Sequence, residues 1–238
     1  MKSTNPEGGL WKEGFGAIGA TLRELEKRGV RQEHLARLRS DGNYADLVAK
    51  AMKECGVDFF TGLAGWQKFY EDLKIPANFV NLRIPAKQKG LDRLLVNPQW
   101  LTIQGAYDKC AELFPCWKYV SGSLDKAIPT NDRDTKNGAY AFWVRNRVEA
   151  DKELKNLSAN DLARKQIKGI TVLERLIYEL KYFKETGKHL DVENVTLCAG
   201  SRYTDGGVPC VDWRGVRLSV GWYYPDDCGG CLRARAAV

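Results

Sequence analysis

At Gly187 the apolar period of this chain changes from that of a helix to that of a strand. Before it, Leu173, Leu176, Ile177, Leu180 and Phe183 recur every three or four residues, the stripe of a helix that buries one face. Thr171-Val-Leu-Glu174 has the pattern of a capping box, in which hydroxyl and carboxylate satisfy amides at the helix start, and Gly187 suits a left-handed stop. These signals predict a helix over 172–186. Beyond it, Val195–Cys198 reads as a strand and Thr204–Gly207 as a turn. Val208–Trp213 then reverses at Arg214-Gly215 into Val216, Leu218, Val220 and Trp222, which period two places on one face. Leu232–Val238 adds a last alternating strand. A long helix followed by an antiparallel β-meander packed on it makes this region α+β.

The N-terminal part has helical period only. After a Gly-rich polar leader (1–15), Ile18, Leu22 and Leu25 lie at helical spacing up to Gly29, and Gln32–Leu38 and Tyr44–Cys55 follow as two further helices. Trp66, Phe69, Tyr70 and Leu73 mark a fourth helix at 63–73. Residues 16–74 are therefore expected to be an all-helical module. Pro76, Pro85 and Lys87–Asp92 place the linker at 75–89, and the α+β domain covers 90–238. Within it, Leu94–Val96 and Trp117–Val120 read as short strands, and Thr102 as the N-cap of a helix carrying Ile103, Ala106, Tyr107, Cys110 and Phe114.

A third strand, Ala139–Val148, is flanked by charge on both sides. Asp132, Arg133 and Asp134 precede its aromatic part, Tyr140–Val144; Arg145, Arg147, Glu149 and Asp151 follow that part. Carboxylates and an Arg brought together can hold a divalent cation and a phosphate. Asp132, Arg133, Asp134, Arg145, Glu149, Asp151, Arg202 and His189 are therefore the candidate catalytic set, provided that the flanks meet the loops of the meander. Asp, Arg and Asn also solvate ordinary turns. His189 has a structural alternative too, because a cationic imidazole suits the end of the 172–186 helix. Cys228-Gly-Gly-Cys231 has zinc-knuckle spacing, and a closed site needs two more ligands, for which Cys198 and Cys210 are the nearest candidates.

The 238 residues are 44% hydrophobic and 28% charged, the make-up of a globular protein rather than a disordered or fibrous one. No apolar run reaches the length of a membrane helix, and the first ten residues lack the apolar core of a secretory signal, so a cytoplasmic, membrane-free protein is expected. Seven cysteines, an odd number, fit reduced thiols. The net charge of +7 is concentrated in residues 76–165, with 15 basic against 10 acidic side chains, which is compatible with a polyanionic partner.

Leu22-Arg-Glu-Leu-Glu-Lys-Arg-Gly-Val-Arg-Gln-Glu-His-Leu-Ala-Arg-Leu38 resembles the opening of a repressor-type helix-turn-helix, where Gly follows the first helix and Gln-Glu-x-Leu-Ala starts the next. The resemblance covers about 17 residues. It implies DNA binding, but the turn and polar recognition helix of that family are replaced here by Ser40–Asn43 and the apolar Tyr44–Cys55 segment. Gly14-Phe-Gly16-Ala-Ile-Gly19 has dinucleotide-binding spacing without the strand that must precede it. No P-loop, Gly-x-Ser-x-Gly elbow or His-Glu-x-x-His is present. The expected function is a cytoplasmic binding protein whose helical module docks a protein partner or nucleic acid, with no cofactor. The alternatives are a Mg- or Mn-dependent hydrolase or nuclease, and a structural protein with a zinc-stapled C-terminal sheet.

Overall fold

The computed structural model describes residue 22 and residues 25–54, 59–79 and 82–238, which form two compact units, 1–59 and 60–238. The leader, Gly14–Gly19, Ile18 and Cys55 lie outside the described residues. In the first unit a helical turn ends at Gly29 (φ +86°), followed by α1 (Gln32–Ser40) and α2 (Gly42–Glu54). Only Asp41 separates them, and its carboxylate accepts from the Tyr44 N–H at 3.1 Å. A helix-turn-helix joins its two helices through three or four residues, so the family turn is missing.

The helix α3 (Phe59–Asp72) belongs with the second unit, not with the helical module expected over 16–74. The aromatic stripe explains why. Trp66, Phe69, Tyr70 and Leu73 are all buried in the large core of that unit, and the Tyr70 hydroxyl donates to the Val96 carbonyl at 2.6 Å. An apolar stripe of this width is too large to leave to a small helical module.

The second unit then runs β1 (Arg93–Asn97), α4 (Ile103–Leu113), β2 (Cys116–Lys118), α5 (Leu124–Ala127), β3 (Thr130–Asn131), β4 (Tyr140–Val144), α6 (Ala159–Arg164), α7 (Val172–Thr186), β5 (Val195–Leu197), β6 (Ser201–Arg202), β7 (Val208–Arg214), β8 (Arg217–Tyr223) and β9 (Leu232–Ala234). Local chemistry sets the helix ends. Thr102 accepts the Gly105 N–H, Thr171 and Glu174 form the capping box of α7, and Gly187 ends α7 at φ +68°.

The main sheet has the order β2-β8-β7-β5-β9. Its centre is the antiparallel β5–β7–β8 meander, while β2 joins β8 and β9 joins β5 in parallel. The last strand is therefore not the next turn of the meander; it crosses to the far side of β5. Val211, Leu218 and Val220 share the core with Leu173, Leu176, Ile177 and Leu180 of α7 and with Ile103 and Ala106 of α4. Val216 departs from the expected shared face. Arg214 pairs with Arg217, so Gly215 and Val216 form the two-residue hairpin tip and Val216 is 77% exposed. The aromatic strand β4 pairs with β1, Trp143 also exchanges backbone hydrogen bonds with Val238, and Phe142 and Trp143 are both buried, because each face of this two-stranded ribbon is covered.

Candidate functional site

Both charged flanks of β4 meet the C-terminal half of the chain, and they do so at different places. On the first flank β3 pairs with β6, Thr130 opposite Arg202 and Asn131 opposite Ser201. Strand alternation sends Asn131 and Ser201 inward, where the Ser201 hydroxyl donates to Asn131 Oδ1 at 2.6 Å and accepts the Val172 N–H. It leaves Thr130, Asp132 and Arg202 on the other side, lining a cleft of about 270 Å³. The opposite wall is apolar, formed by Ala159, Leu162, Ala163 and Ile167.

A tight backbone crossing shapes the cleft floor. A Cβ on Gly200 would stand 2.7 Å from the Gly169 carbonyl oxygen, and one on Gly169 would stand 2.8 Å from the Ala199 Cβ. The neighbour at Gly200 is backbone, which cannot swing aside. Gly200→Ala is therefore expected to destabilise the protein by about 1–3 kcal/mol through overpacking, read as a lower urea midpoint at unchanged slope.

Arg202 is half-buried. Its Nη1 donates to the carbonyls of Ala199 and Ser201, both at 2.7 Å, which fixes the guanidinium plane. Burial lowers its pKa, opposed by the Asp132 carboxylate. Arg133 turns away from the cleft. Its Nη2 donates to Glu174 Oε2 and to the Gly169 carbonyl, both at 2.8 Å. Burial would lower its pKa, but the Glu174 carboxylate outweighs that and raises it. Asp134 caps the short 3-10 turn at Thr135–Asn137 by accepting the Lys136 N–H.

The second flank joins a buried ion network. Asp191, fully buried, accepts from Arg175 Nε at 2.8 Å, Arg235 Nη2 at 2.7 Å, the Ala150 N–H at 2.8 Å and the Thr196 hydroxyl. Arg175 also donates to Glu179. Glu149 accepts the N–H groups of Val192, Glu193 and Asn194. Asp151 pairs with Arg145 and accepts the Ala236 N–H. His189 lies 2.8 Å through Nδ1 from the buried Glu179 and stacks flat on Trp213.

Of the eight expected catalytic residues, then, only Asp132 and Arg202 line one cleft; Arg133 anchors it from behind. Asp134 and Glu149 accept mainly from backbone amides, and Asp151 gives Oδ2 to Arg145 and the Ala236 N–H while its buried Oδ1 has no hydrogen-bond partner. Among the described residues no three His, Cys, Asp or Glu side chains are grouped to hold a metal ion. The zinc ligand set does not assemble either. Cys198 and Cys210 are buried, Cys228 and Cys231 exposed, and burial pushes the Cys198 thiol well up and the Cys210 thiol to about 12.

A second surface, not foreseen from the sequence, lies on the outer face of the sheet. The strand β2 is its edge, and Trp117 and Tyr119, two residues apart, are 40% and 60% exposed on the same side. The Arg217 guanidinium sits 5.4 Å from the Trp117 ring centroid, and Tyr119 shares a shallow depression with Lys126, Ser121 and Ser123. The readable signal was Trp-x-Tyr on a short strand ending in polar loop. Compared with known protein families, curated proteins and solved structures, the chain matches none.

Proposed function

We propose that this chain is a cytoplasmic binding protein for single-stranded nucleic acid, engaged by the Trp117–Tyr119 edge of the second unit. The observation that carries the reading is the pair of exposed aromatic rings on β2 and the residue that follows it, with Arg217 over one and Lys126 beside the other. Neighbouring same-face residues on a strand are about 6.6 Å apart, a spacing that lets two successive unstacked bases each find a ring. Every base has a π-face, so the surface is tolerant of sequence, and the flanking cations track the phosphates. The net charge of +7 supports a polyanionic partner. The six described cysteines are unpaired, as in a reducing compartment, and no described helix is long and apolar enough to cross a membrane.

The test is fluorescence anisotropy with labelled 12-nucleotide DNA and RNA strands over a salt series. Trp117→Ala is expected to weaken binding by about 5- to 150-fold, the 1–3 kcal/mol of one stacked base. Arg217→Ala should flatten the slope of log affinity against log salt by about 0.7. Retention of full affinity by Trp117→Ala, or no binding at low salt, would overturn the proposal.

A further inference from the structure

The cleft between β3, β6 and α6 has a cation and an anion on one rim and hydrocarbon on the other, and the two charges do not satisfy each other. Asp132 is exposed and makes no ion pair with Arg202, although both face the same space. The Arg202 guanidinium is held by Nη1 alone, through the Ala199 and Ser201 carbonyls. Its Nε and Nη2 remain directed to no protein acceptor. The backbone supports this placement, since the Asp132 N–H donates to the Gly200 carbonyl at 2.8 Å and the Thr130–Arg202 pairing sets the rim.

We infer that this cleft is a binding site for a free α-amino acid with a small aliphatic side chain. The ligand's carboxylate would take the open edge of Arg202, which suits a planar two-oxygen acceptor. Its ammonium would face Asp132 and the Thr130 hydroxyl. Its side chain would lie against Leu162, Ala163 and Ile167, where burial of apolar surface supplies the affinity. The cleft's about 270 Å³ limits the ligand to this size. A zwitterion is the chemistry that answers both charges at once. An isolated carboxylate would leave Asp132 facing it with repulsion, and an isolated amine would do the same to Arg202.

The site is separate from the Trp117–Tyr119 edge, so either assignment can fail alone. Isothermal titration calorimetry on the full chain would compare L-valine and L-leucine with N-acetyl-L-leucine and L-leucinamide. The expected result is binding of the free amino acids, weakened at least tenfold in both blocked forms. Arg202→Gln and Asp132→Asn should each weaken binding at least tenfold, and Asp132→Asn, at an exposed position, should leave the melting temperature unchanged in the absence of ligand. Ala163→Phe, which fills the cleft from its apolar wall, should abolish binding and so tests the site without touching either charge. Equal binding of N-acetyl-L-leucine, full binding by Ala163→Phe, or no heat with any amino acid at millimolar concentration would each overturn the assignment.

Discussion

Asp191→Ala is expected to cost the second unit about 3–5 kcal/mol, a large fraction of the 5–15 kcal/mol that holds an ordinary domain together. The carboxylate accepts from Arg175, Arg235, Thr196 and the Ala150 N–H, in a site where Arg175 is fully buried and Arg235 is 1% exposed. Removing it leaves the buried Arg175 with Glu179 as its one carboxylate partner and Arg235 with backbone carbonyls and the Thr196 hydroxyl, with no carboxylate partner of its own. It also frees three segments at once: α7 through Arg175, the C-terminal strand through Arg235, and the exit of β4 through Ala150. Equilibrium urea unfolding reads the loss directly. The pH dependence supplies a second check. Burial would raise the Asp191 pKa, but Arg235 and Arg175 outweigh burial and hold it below the ordinary 3.8. A depressed carboxylate stabilises the fold at pH values above its unfolded pKa, and that contribution is lost as pH falls through the folded pKa. The parent protein should therefore lose stability below about pH 4, and Asp191→Asn should show a shallower fall in that window. An Asp191→Ala midpoint within error of the parent would show that the network contributes nothing.

The long helix and the meander were legible because each rests on local rules: a period, a cap and a turn. The residues that tie them together were not. Glu174, Arg175 and Glu179 have the look of a solvated helix face opposite the Leu173–Leu180 stripe, yet residues 172–180 are buried on every side. Nothing in the order of residues announces that Asp191, sixteen positions after Arg175, and Arg235, forty-four after Asp191, complete the charge balance. Helix α3 follows other helices in the sequence, although its own aromatic stripe belongs to a core that extends to Ala237. The candidate site was half legible. Asp132 and Arg202 were both singled out, and β3–β6 pairing puts them on one rim. The apolar wall from α6 was missed, because a six-residue helix has too few turns to show a period.

Glu174→Ala is expected to destabilise by a similar amount, about 3–5 kcal/mol, for a related reason. Glu174 is fully buried and serves two partners: the Thr171 N–H at 2.8 Å, which starts α7, and Arg133, which ties the loop before β4 to that helix. Truncation leaves Arg133 with the Gly169 carbonyl alone and opens the first turn of α7. Glu174→Gln keeps an acceptor for the capping box and loses only the charge, so its cost should be smaller. The pairing itself is tested by a double substitution. If the damage comes from stranding a charge, Arg133→Met combined with Glu174→Leu should recover most of the loss, because a hydrocarbon pair of similar volume needs no partner. If the damage comes from the cap alone, the double variant should be as unstable as Glu174→Ala. A recovered double variant would identify Arg133–Glu174 as a device that positions the 131–134 loop, and with it Asp132, rather than one on which folding depends.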